Sequence, residues 1–183
     1  MKRFLLSLAI FSWAGGVNAQ PPLANSRTKI YIVRHSEKES GKDPALTPQG
    51  RQRAGDLMRK LKRKYIRHIY VSEYRRTQMT ADSMRIQLGI DTIHYVADTT
   101  GEDLLNKMIA KGDQRHTILV IGHSNTIPNI IRKLGVTNYP TEWIPDNEFD
   151  NLFLVRYRKH KARVIKNKYG NAAAVSAPMK SSQ

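Results

Sequence analysis

Two histidines in this sequence lie at the ends of short apolar runs. Arg34 and His35 come after Ile30–Val33, and His123 ends the run His116–His123. Continuous β-branched and aromatic residues favour strands that are buried on both faces. Because the carboxyl ends of such strands face the ligand crevice of an open α/β sheet, the sequence predicts a cationic pocket at that edge.

A phosphate ester is a suitable ligand for a pocket of this composition. Its dianion needs cations on several sides, and the guanidinium groups of Arg34 and Arg76 match phosphate oxygens geometrically. A neutral, oriented imidazole is a competent nucleophile toward phosphorus, and a second, protonated imidazole can stabilise charge on the transferring group. Such a site needs no metal ion if the protein itself supplies the positive charge.

The segment after the first run carries a helix signal. Thr47 and Pro48 are a typical N-cap and first residue of a helix. Apolar residues then recur at helical spacing and predict a buried face, while the cations between them predict a solvated face. The residues predicted to be buried are Ala54, Leu57, Met58, Leu61 and Tyr65, and those predicted to be solvated are Arg51, Arg53, Arg59, Lys60 and Arg63.

The remaining segments alternate between strand and helix patterns. Further strands are predicted at His68–Val71 and Thr92–Val96, further helices end near Leu88, Lys111 and Leu134, and a hairpin is predicted from Leu152–Arg158 and Arg163–Tyr169. The helix that begins near Gly101 is predicted to bury Leu104, Leu105, Met108 and Ile109. This alternation predicts a single α/β domain with a mostly parallel sheet covered on both sides by helices.

Composition limits the possible classes of site and partner. The chain has 183 residues, which suits one domain, and it lacks cysteine, which excludes disulfides, thiolate metal sites and a cysteine nucleophile. Lys and Arg number 31 against 15 Asp and Glu, for a formal charge of +16. Such charges usually form a solvated surface, and the more specific interpretation is that they bind a polyanion. No aromatic platform for bases accompanies the cations, so no nucleic-acid partner is expected.

The N-terminal residues have the three regions of a secretory signal peptide. Lys2 and Arg3 give a basic start, Phe4–Trp13 is a short apolar run, and Val17–Ala19 supplies the small-residue cleavage pattern. Cleavage before Gln20 would lower the formal charge from +16 to +14 and leave no transmembrane segment. The predicted location is therefore periplasmic or secreted, and the alternatives are an uncleaved anchor and a buried first helix.

Four sequence blocks together resemble the histidine phosphatase (phosphoglycerate-mutase-like) superfamily. The blocks are Arg34-His35-Ser36-Glu37, Leu46-Thr47-Pro48-Gln49-Gly50 with Ala54, Ser72-x-x-x-Arg76-x-x-x-Thr80-Ala81, and Gly122-His123-Ser124-Asn125-Thr126. They occur in this order and span most of residues 30–135. The larger, phytase-type members place an acid after the second histidine, where this chain has Ser124, so the resemblance is to the small branch.

The resemblance implies a three-layer α/β/α sandwich around a mostly parallel sheet. It also implies a two-step reaction that needs no metal and no cofactor. His35 would be the nucleophile that becomes phosphorylated, and Arg34, Arg76 and His123 would hold the phosphoryl group.

An acidic residue would protonate the leaving oxygen before water hydrolyses the phosphohistidine. Glu102 is the preferred acid, and Asp98 and Asp103 are the alternatives. The acidic first turn of a helix would explain Glu102 equally well. Glu37 is expected to orient the local structure rather than to react.

The predicted function is an exported phosphoric monoester hydrolase. The alternatives are a phosphomutase and a non-catalytic, polyanion-binding relative of the same fold. The predicted partner is a phosphorylated small molecule or an envelope glycolipid, which a basic surface would attract. The oligomeric state does not follow from the sequence. The predicted organisation is a signal peptide at residues 1–19, a linker at 20–28, a catalytic domain at 29–170 and a disordered tail at 171–183.

Overall fold

A six-stranded sheet is the centre of the fold, and helices cover both of its faces. The computed structural model describes residue 21 and residues 23–171. The strands are β1 (Lys29–Arg34), β2 (Ile66–Ser72), β3 (Thr92–Tyr95), β4 (Thr117–Gly122), β5 (Asn151–Arg158) and β6 (Lys161–Lys168). The helices are α1 (Pro48–Leu61), α2 (Arg75–Leu88), α3 (Glu102–Ala110) and α4 (Ile127–Lys133).

The sheet is mostly parallel. Its strand order is β3-β2-β4-β1-β5-β6, and the first four of these strands run in the same direction. β5 runs antiparallel to β1 and forms a hairpin with β6. The ends of β1, β2, β3 and β4 therefore meet at one edge, which we call the carboxyl edge, and their starts form the opposite amino edge. The register places Arg34 opposite Gly122 and Val71 opposite Ile121 at the carboxyl edge.

Two apolar clusters join the helices to the sheet. Helices α1 and α2 contribute Leu57 and Met84 to the cluster on one face. Helices α3 and α4 contribute Met108 and Ile130 to the cluster on the other face, which also contains Phe153 of β5. The prediction of a single three-layer α/β/α domain is confirmed.

Helix α1 begins as the sequence predicts, but two predictions about its side chains were wrong. Oγ1 of Thr47 accepts a hydrogen bond from the backbone N–H of Gly50 at 3.0 Å, as expected of an N-cap. Tyr65, predicted to be buried, lies beyond the end of the helix with a φ of 53° and is 91% exposed. Arg53, predicted to be solvated, is buried because Glu37 binds its guanidinium group.

Helix α3 departs from the prediction at one position. Ile109, predicted to be buried, is 45% exposed. The helix contacts β3, which is the edge strand of the sheet, so only one flank of the helix is covered. Met108 therefore lies in the core, while Ile109 beside it faces solvent.

Predictions for the chain ends fall largely outside the described residues. The predicted signal peptide at 1–19 lies outside them, as does the predicted tail beyond residue 171. In the predicted linker at 20–28, Leu23 and Thr28 are buried and Leu23 joins the core, so the segment packs as part of the domain from Leu23 onward. The helices within the described ranges are all too short or too polar to cross a bilayer.

Candidate active site

The carboxyl edge brings together side chains from three of the sequence blocks. Arg34 ends β1 and His35 follows it, Arg76 lies at the start of α2, and His123 follows β4. The backbone N–H of His35 donates to the carbonyl oxygen of Gly122 at 2.9 Å, which joins two of the blocks directly. The ring centroids of the two histidines are 5.4 Å apart, so a single ligand can reach both rings.

The ring of His35 is held in one orientation with one nitrogen free. Its Nδ1 lies 2.8 Å from the carbonyl oxygen of Ser36. Because a carbonyl oxygen only accepts, Nδ1 carries the proton and Nε2 keeps its lone pair. Burial lowers the pKa of His35 to about 3, and the neighbouring positive charges add to this effect. The imidazole is therefore neutral near pH 7, as a nucleophile must be.

His123 is held through both ring nitrogens. Oγ of Ser72 lies 2.8 Å from Nε2, and Nη2 of Arg76 lies 3.2 Å from Nδ1. A guanidinium group only donates, so Nδ1 accepts and Nε2 donates its proton to Ser72. Burial, followed by the charge of Arg76, lowers the pKa of His123 to about 4. An anion bound beside Nδ1 would favour protonation of that nitrogen, which could then donate to the anion.

Arg34 is fixed by the segment that precedes β5. Its Nη1 donates to the carbonyl oxygens of Pro145 and Asp146 at 2.9 and 3.1 Å, and its Nη2 donates to Oδ1 of Asp146 at 3.3 Å. The guanidinium carbon lies 4.3 Å from the centroid of the Phe149 ring. Because the Asp146 side chain is 98% exposed, a phosphoryl oxygen could replace its carboxylate at little cost.

Arg76 rests on an aromatic ring in the same way. Its guanidinium carbon lies 4.2 Å from the centroid of Tyr74, and its Nη1 lies 3.6 Å from a carboxylate oxygen of Asp43. The Nε atoms of Arg34 and Arg76 are both buried, with no hydrogen-bond partner among the described residues. Unpaired buried donors are costly. Two of them on cationic groups in one site therefore indicate a place for an anion.

A buried ion pair and two hydrogen bonds hold the loop after β1. Glu37 accepts hydrogen bonds from Nε and Nη2 of Arg53 at 2.7–2.9 Å. The carbonyl oxygen of Glu37 accepts from the N–H of Thr47 at 3.0 Å, and the N–H of Ser36 donates to Oγ1 of Thr80 at 3.0 Å. The first block is thus tied to the second and third, and Glu37 orients this loop.

Two of the three predicted acids are committed elsewhere. Although its limited burial opposes the effect, hydrogen bonds from Thr100 and Gly101 lower the pKa of Asp98. The ion pair with Lys107, at 2.8 Å, lowers the pKa of Asp103. Both carboxylates therefore hold a proton poorly, which makes them weak candidates for a general acid.

Glu102 is the third candidate. It forms an ion pair with Lys133, and its side chain is 52% exposed. No hydrogen bond or ion pair within the described residues joins Glu102 to either histidine at the carboxyl edge. Its role as proton donor stays a prediction.

Sequence reasoning missed the aromatic rings beneath the two arginines. Phe149 and Asp146 lie in the irregular, acidic segment before β5, and its residue spacing does not indicate that it returns to β1. Tyr74 lies inside the third block, two residues before Arg76, so its position gave a usable signal.

The assembled groups can bind a tetrahedral dianion and present a lone pair to its central atom. Arg34 and Arg76 supply unpaired cationic donors, Nε2 of His35 is free, and His123 can accept a proton. Across residues 23–171, no three His, Cys, Asp or Glu side chains gather in a metal-binding arrangement.

Comparison with known protein families gives a match over the segment that contains β1, β2 and β3. The model of the histidine phosphatase superfamily, branch 1, matches residues 30–98. This range contains the first three blocks, with Arg34, His35 and Arg76. No curated protein sequence matches this chain.

Several solved structures share the fold. The protein histidine phosphatase SixA, complexed with tungstate, is 17% identical with a TM-score of 0.58, over 76% of this chain and 96% of SixA. A phosphoserine phosphatase mutant from Entamoeba histolytica is 16% identical with a TM-score of 0.59, over 79% and 98% of the two chains. A mycobacterial glucosyl-3-phosphoglycerate phosphatase is 15% identical with a TM-score of 0.57, over 78% and 98%. The family model thus matches the segment that carries Arg34, His35 and Arg76, and the similar structures share the fold of the whole domain.

Proposed function

We propose that this protein is an exported, metal-independent phosphatase that hydrolyses phosphate monoesters through a phosphohistidine intermediate. The match of residues 30–98 to the histidine phosphatase family model and the phosphatases among the similar structures support its assignment as a phosphoric monoester hydrolase. One observation carries the proposed mechanism. The free Nε2 of a neutral His35 stands in a site where the Nε donors of Arg34 and Arg76 are buried and unpaired.

The first step transfers the phosphoryl group to the protein. The Nε donors of Arg34 and Arg76 bind its oxygens. As the dianion enters, Nδ1 of His123 takes up a proton from solvent, its hydrogen bond from Nη2 of Arg76 breaks, and Nδ1 donates to a phosphoryl oxygen instead. Nε2 of His35 attacks phosphorus, and the new P–N bond forms as the P–O bond to the leaving group breaks. The leaving oxygen takes a proton from Glu102, which is ion-paired with Lys133 but, unlike Asp98 and Asp103, accepts no backbone hydrogen bond from any described residue.

The second step returns the site to its starting state. Glu102 takes a proton from water as the water oxygen attacks phosphorus. The P–N bond breaks, its electron pair returns to Nε2 of His35, and inorganic phosphate leaves. The hydrogen bond from Nδ1 to Ser36 persists through both steps, so the ring returns to the same tautomer.

We place the substrate among phosphorylated small molecules, such as sugar phosphates, and phosphorylated envelope glycolipids. The support lies in the sequence. The N-terminal pattern predicts export, which separates the protein from glycolytic intermediates and from cytoplasmic phosphoproteins. A formal charge of +14 over residues 20–183 would attract anionic substrates.

Phosphate release in the presence of EDTA tests this mechanism. Purified protein and His35→Ala are compared on a panel of sugar phosphates, aryl phosphates and phosphorylated lipids. We expect release by the wild type in EDTA and a loss of at least about 10³-fold in the variant, which lacks the nucleophile. His94→Ala is the matched control, because His94 is exposed on β3, and it should keep full activity.

Other outcomes separate the alternatives. Quenching during turnover of ³²P-labelled substrate should trap a phosphoenzyme that survives base and is labile in acid, as a P–N bond is. Full activity of His35→Ala would contradict the assignment of the nucleophile, and activity only with added metal would contradict metal independence. Failure to release phosphate from any ester would favour a polyanion-binding protein, and movement of phosphate within one carbon skeleton would favour a phosphomutase.

A further inference from the structure

Charges of opposite sign are separated along the strand direction. Most of the 15 Asp and Glu residues lie in the loops and the helix turn at the carboxyl edge. They are Glu37, Glu39, Asp43, Glu73, Asp98, Glu102, Asp103, Glu142, Asp146, Glu148 and Asp150. The carboxylates at the amino edge are Asp91, at the start of β3, and Asp113, which is buried and bound to His68 and Tyr70. The amino edge is therefore left to cations.

The turn between α1 and β2 supplies one group of these cations. Lys62, Arg63 and Lys64 are consecutive and exposed, and Arg67 is exposed at the start of β2. Tyr65 lies among them with 91% of its surface exposed. Because Tyr65 is 91% exposed beside these cations, its ring contributes little to the core.

The β5–β6 hairpin and the start of β1 supply a second group. The register places Arg156 opposite both Arg163 and Lys29, and Arg158 opposite Lys161. All five side chains are exposed. Like charges directly opposite each other on neighbouring strands are destabilising, so this arrangement costs folding free energy.

The cations of both groups have no ionic partner in the part of the chain that the structure describes. Across residues 23–171, none of them forms an ion pair, whereas Lys107, Lys133, Lys166 and Lys168 elsewhere on the surface do. A concavity of about 580 Å³ lies among the cations of the hairpin, lined by Ser26, Arg156, Arg158, Arg163 and Ile165. Ile165 is 43% exposed on the same face of β6 as Arg163. The hairpin therefore offers a concave, cationic surface with an apolar side chain at its margin.

We propose that this basic end, formed by Lys29, Lys62–Lys64, Arg67, Arg156, Arg158, Lys161 and Arg163, docks on an anionic lipid surface. Cations at a membrane surface are attracted additively by anionic headgroups, and the concavity offers a place for a headgroup phosphate. Exposed Tyr65 and Ile165 suit an interface that is apolar on one side and aqueous on the other. A nucleic acid would instead call for a row of aromatic stacking platforms, which the basic end lacks among the described residues.

The geometry also sets the orientation of the docked protein. The amino and carboxyl ends of β1 are about 16 Å apart, at the usual rise per residue of a strand. Docking through the amino edge therefore turns Arg34 and His35 toward the aqueous side. This inference does not depend on the reaction at the carboxyl edge, since neither group of cations belongs to that site.

Vesicle sedimentation tests the proposal. Purified protein is mixed with vesicles of phosphatidylcholine alone or with about a third phosphatidylglycerol, at near-physiological salt. We expect binding to the anionic vesicles and at least about tenfold less to the neutral ones. The variant Lys64→Gln/Arg158→Gln/Lys161→Gln should bind the anionic vesicles at least about tenfold more weakly, because each cation near the surface accounts for roughly fivefold.

A matched control separates location from net charge. Lys38→Gln/Lys42→Gln/Lys166→Gln removes the same charge from other exposed positions and should bind like the wild type. Urea unfolding of each variant verifies that it is folded. Equal losses in the two triple variants, or no preference of the wild type for anionic vesicles, would overturn the proposal.

Tyr65→Ser distinguishes a lipid surface from a soluble polyanion. We expect weaker binding to anionic vesicles and unchanged binding to heparin, because only the bilayer offers an apolar layer to the ring. An equal effect on both ligands, or tight binding to heparin with none to vesicles, would reject the membrane in favour of a soluble polyanion.

Discussion

At the scale of single residues, hydrogen bonding distinguishes the two histidines. Nδ1 of His35 donates to a backbone carbonyl, so Nε2 is left with a lone pair and no partner in the hydrogen-bond network of the described residues. His123 has both nitrogens engaged, by Ser72 and Arg76. A nucleophile needs a free, oriented lone pair, whereas a group that stabilises transferred charge needs a position that can take up a proton. These requirements match His35 and His123 in that order.

The buried imidazoles should make the protein less stable in acid. The pKa values of His35 and His123 are lowered to about 3 and about 4, and in an unfolded chain each would be near 6.5. At a pH between the folded-state and unfolded-state pKa values, the unfolded state binds more protons than the folded state. The free energy of unfolding therefore falls as the pH falls. Urea titrations should show that, between pH 7 and pH 5, the free energy of unfolding falls by about 2 kcal/mol less in His35→Gln than in the wild type.

The exposed His94 provides the comparison for that experiment. His94→Gln should follow the wild type at both pH values, because the His94 side chain is exposed on β3 and packs against no part of the site. If the free energy of unfolding fell equally in His35→Gln and the wild type on acidification, His35 would not be held neutral by its surroundings.

Glu102 can be tested through the leaving group. An alkoxide needs a proton to depart, whereas an acidic phenol departs without one. Glu102→Gln should therefore slow the hydrolysis of sugar phosphates by about 10²–10⁴-fold and change nitrophenyl phosphate turnover much less. Asp103→Asn is the matched substitution in the same helix turn and should leave the ratio of the two rates unchanged. An equal loss on both substrates would assign Glu102 a structural role through Lys133.

At the scale of secondary structure elements, helix α1 supports the loop that carries the proposed nucleophile. A Cβ atom on Gly50 would overlap the carbonyl oxygen of Glu37, which follows His35 by two residues. Gly50→Ala should therefore destabilise the protein by about 1–3 kcal/mol and reduce phosphatase activity. A Cβ atom on Gly55, further along α1, would meet only the flexible end of Arg59. Gly55→Ala should be neutral or stabilising by up to about 1 kcal/mol.

Urea unfolding and phosphate release of both glycine variants check this coupling. Equal stability of Gly50→Ala and Gly55→Ala would show that the loop after β1 moves freely away from α1. Loss of stability without loss of activity would separate the packing of α1 from the positioning of His35.

The periodicity of apolar residues predicted the secondary structure elements better than it predicted the contacts between them. The N-cap at Thr47 and the apolar run before Arg34 depend on local geometry, so sequence alone located α1 and β1 closely. Arg53 was misassigned because its burial depends on Glu37, a residue of another element, and Ile109 because helical spacing does not reveal that α3 covers a sheet edge. Phe149 was missed for the same reason, since its contact with Arg34 spans more than 100 residues of sequence.

At the scale of the whole molecule, the separation of charge relates the proposed reaction to the proposed docking. The carboxyl edge combines acidic loops with buried Arg34 and half-buried Arg76, while the amino edge presents cations that form no ion pair with any described residue. A protein docked through the amino edge would open its site to the aqueous side. Docking would then favour soluble phosphorylated small molecules over glycolipids of the same bilayer, which could not reach His35.

Export is the remaining whole-molecule prediction. Cleavage after Ala19 would remove residues 1–19 and keep Leu23, the first core residue of the part of the chain that the structure describes. Expression of the full chain in a bacterial host should give a protein with the intact mass of residues 20–183. This protein should be recovered in the periplasmic or secreted fraction. Ala19→Arg should block cleavage, since the position before the cut needs a small residue, while Asn18→Arg, at the tolerant position between Val17 and Ala19, should still be processed. Recovery of the uncleaved wild type from the cytoplasm would contradict export, and the substrate would then have to be sought among cytoplasmic phosphoesters.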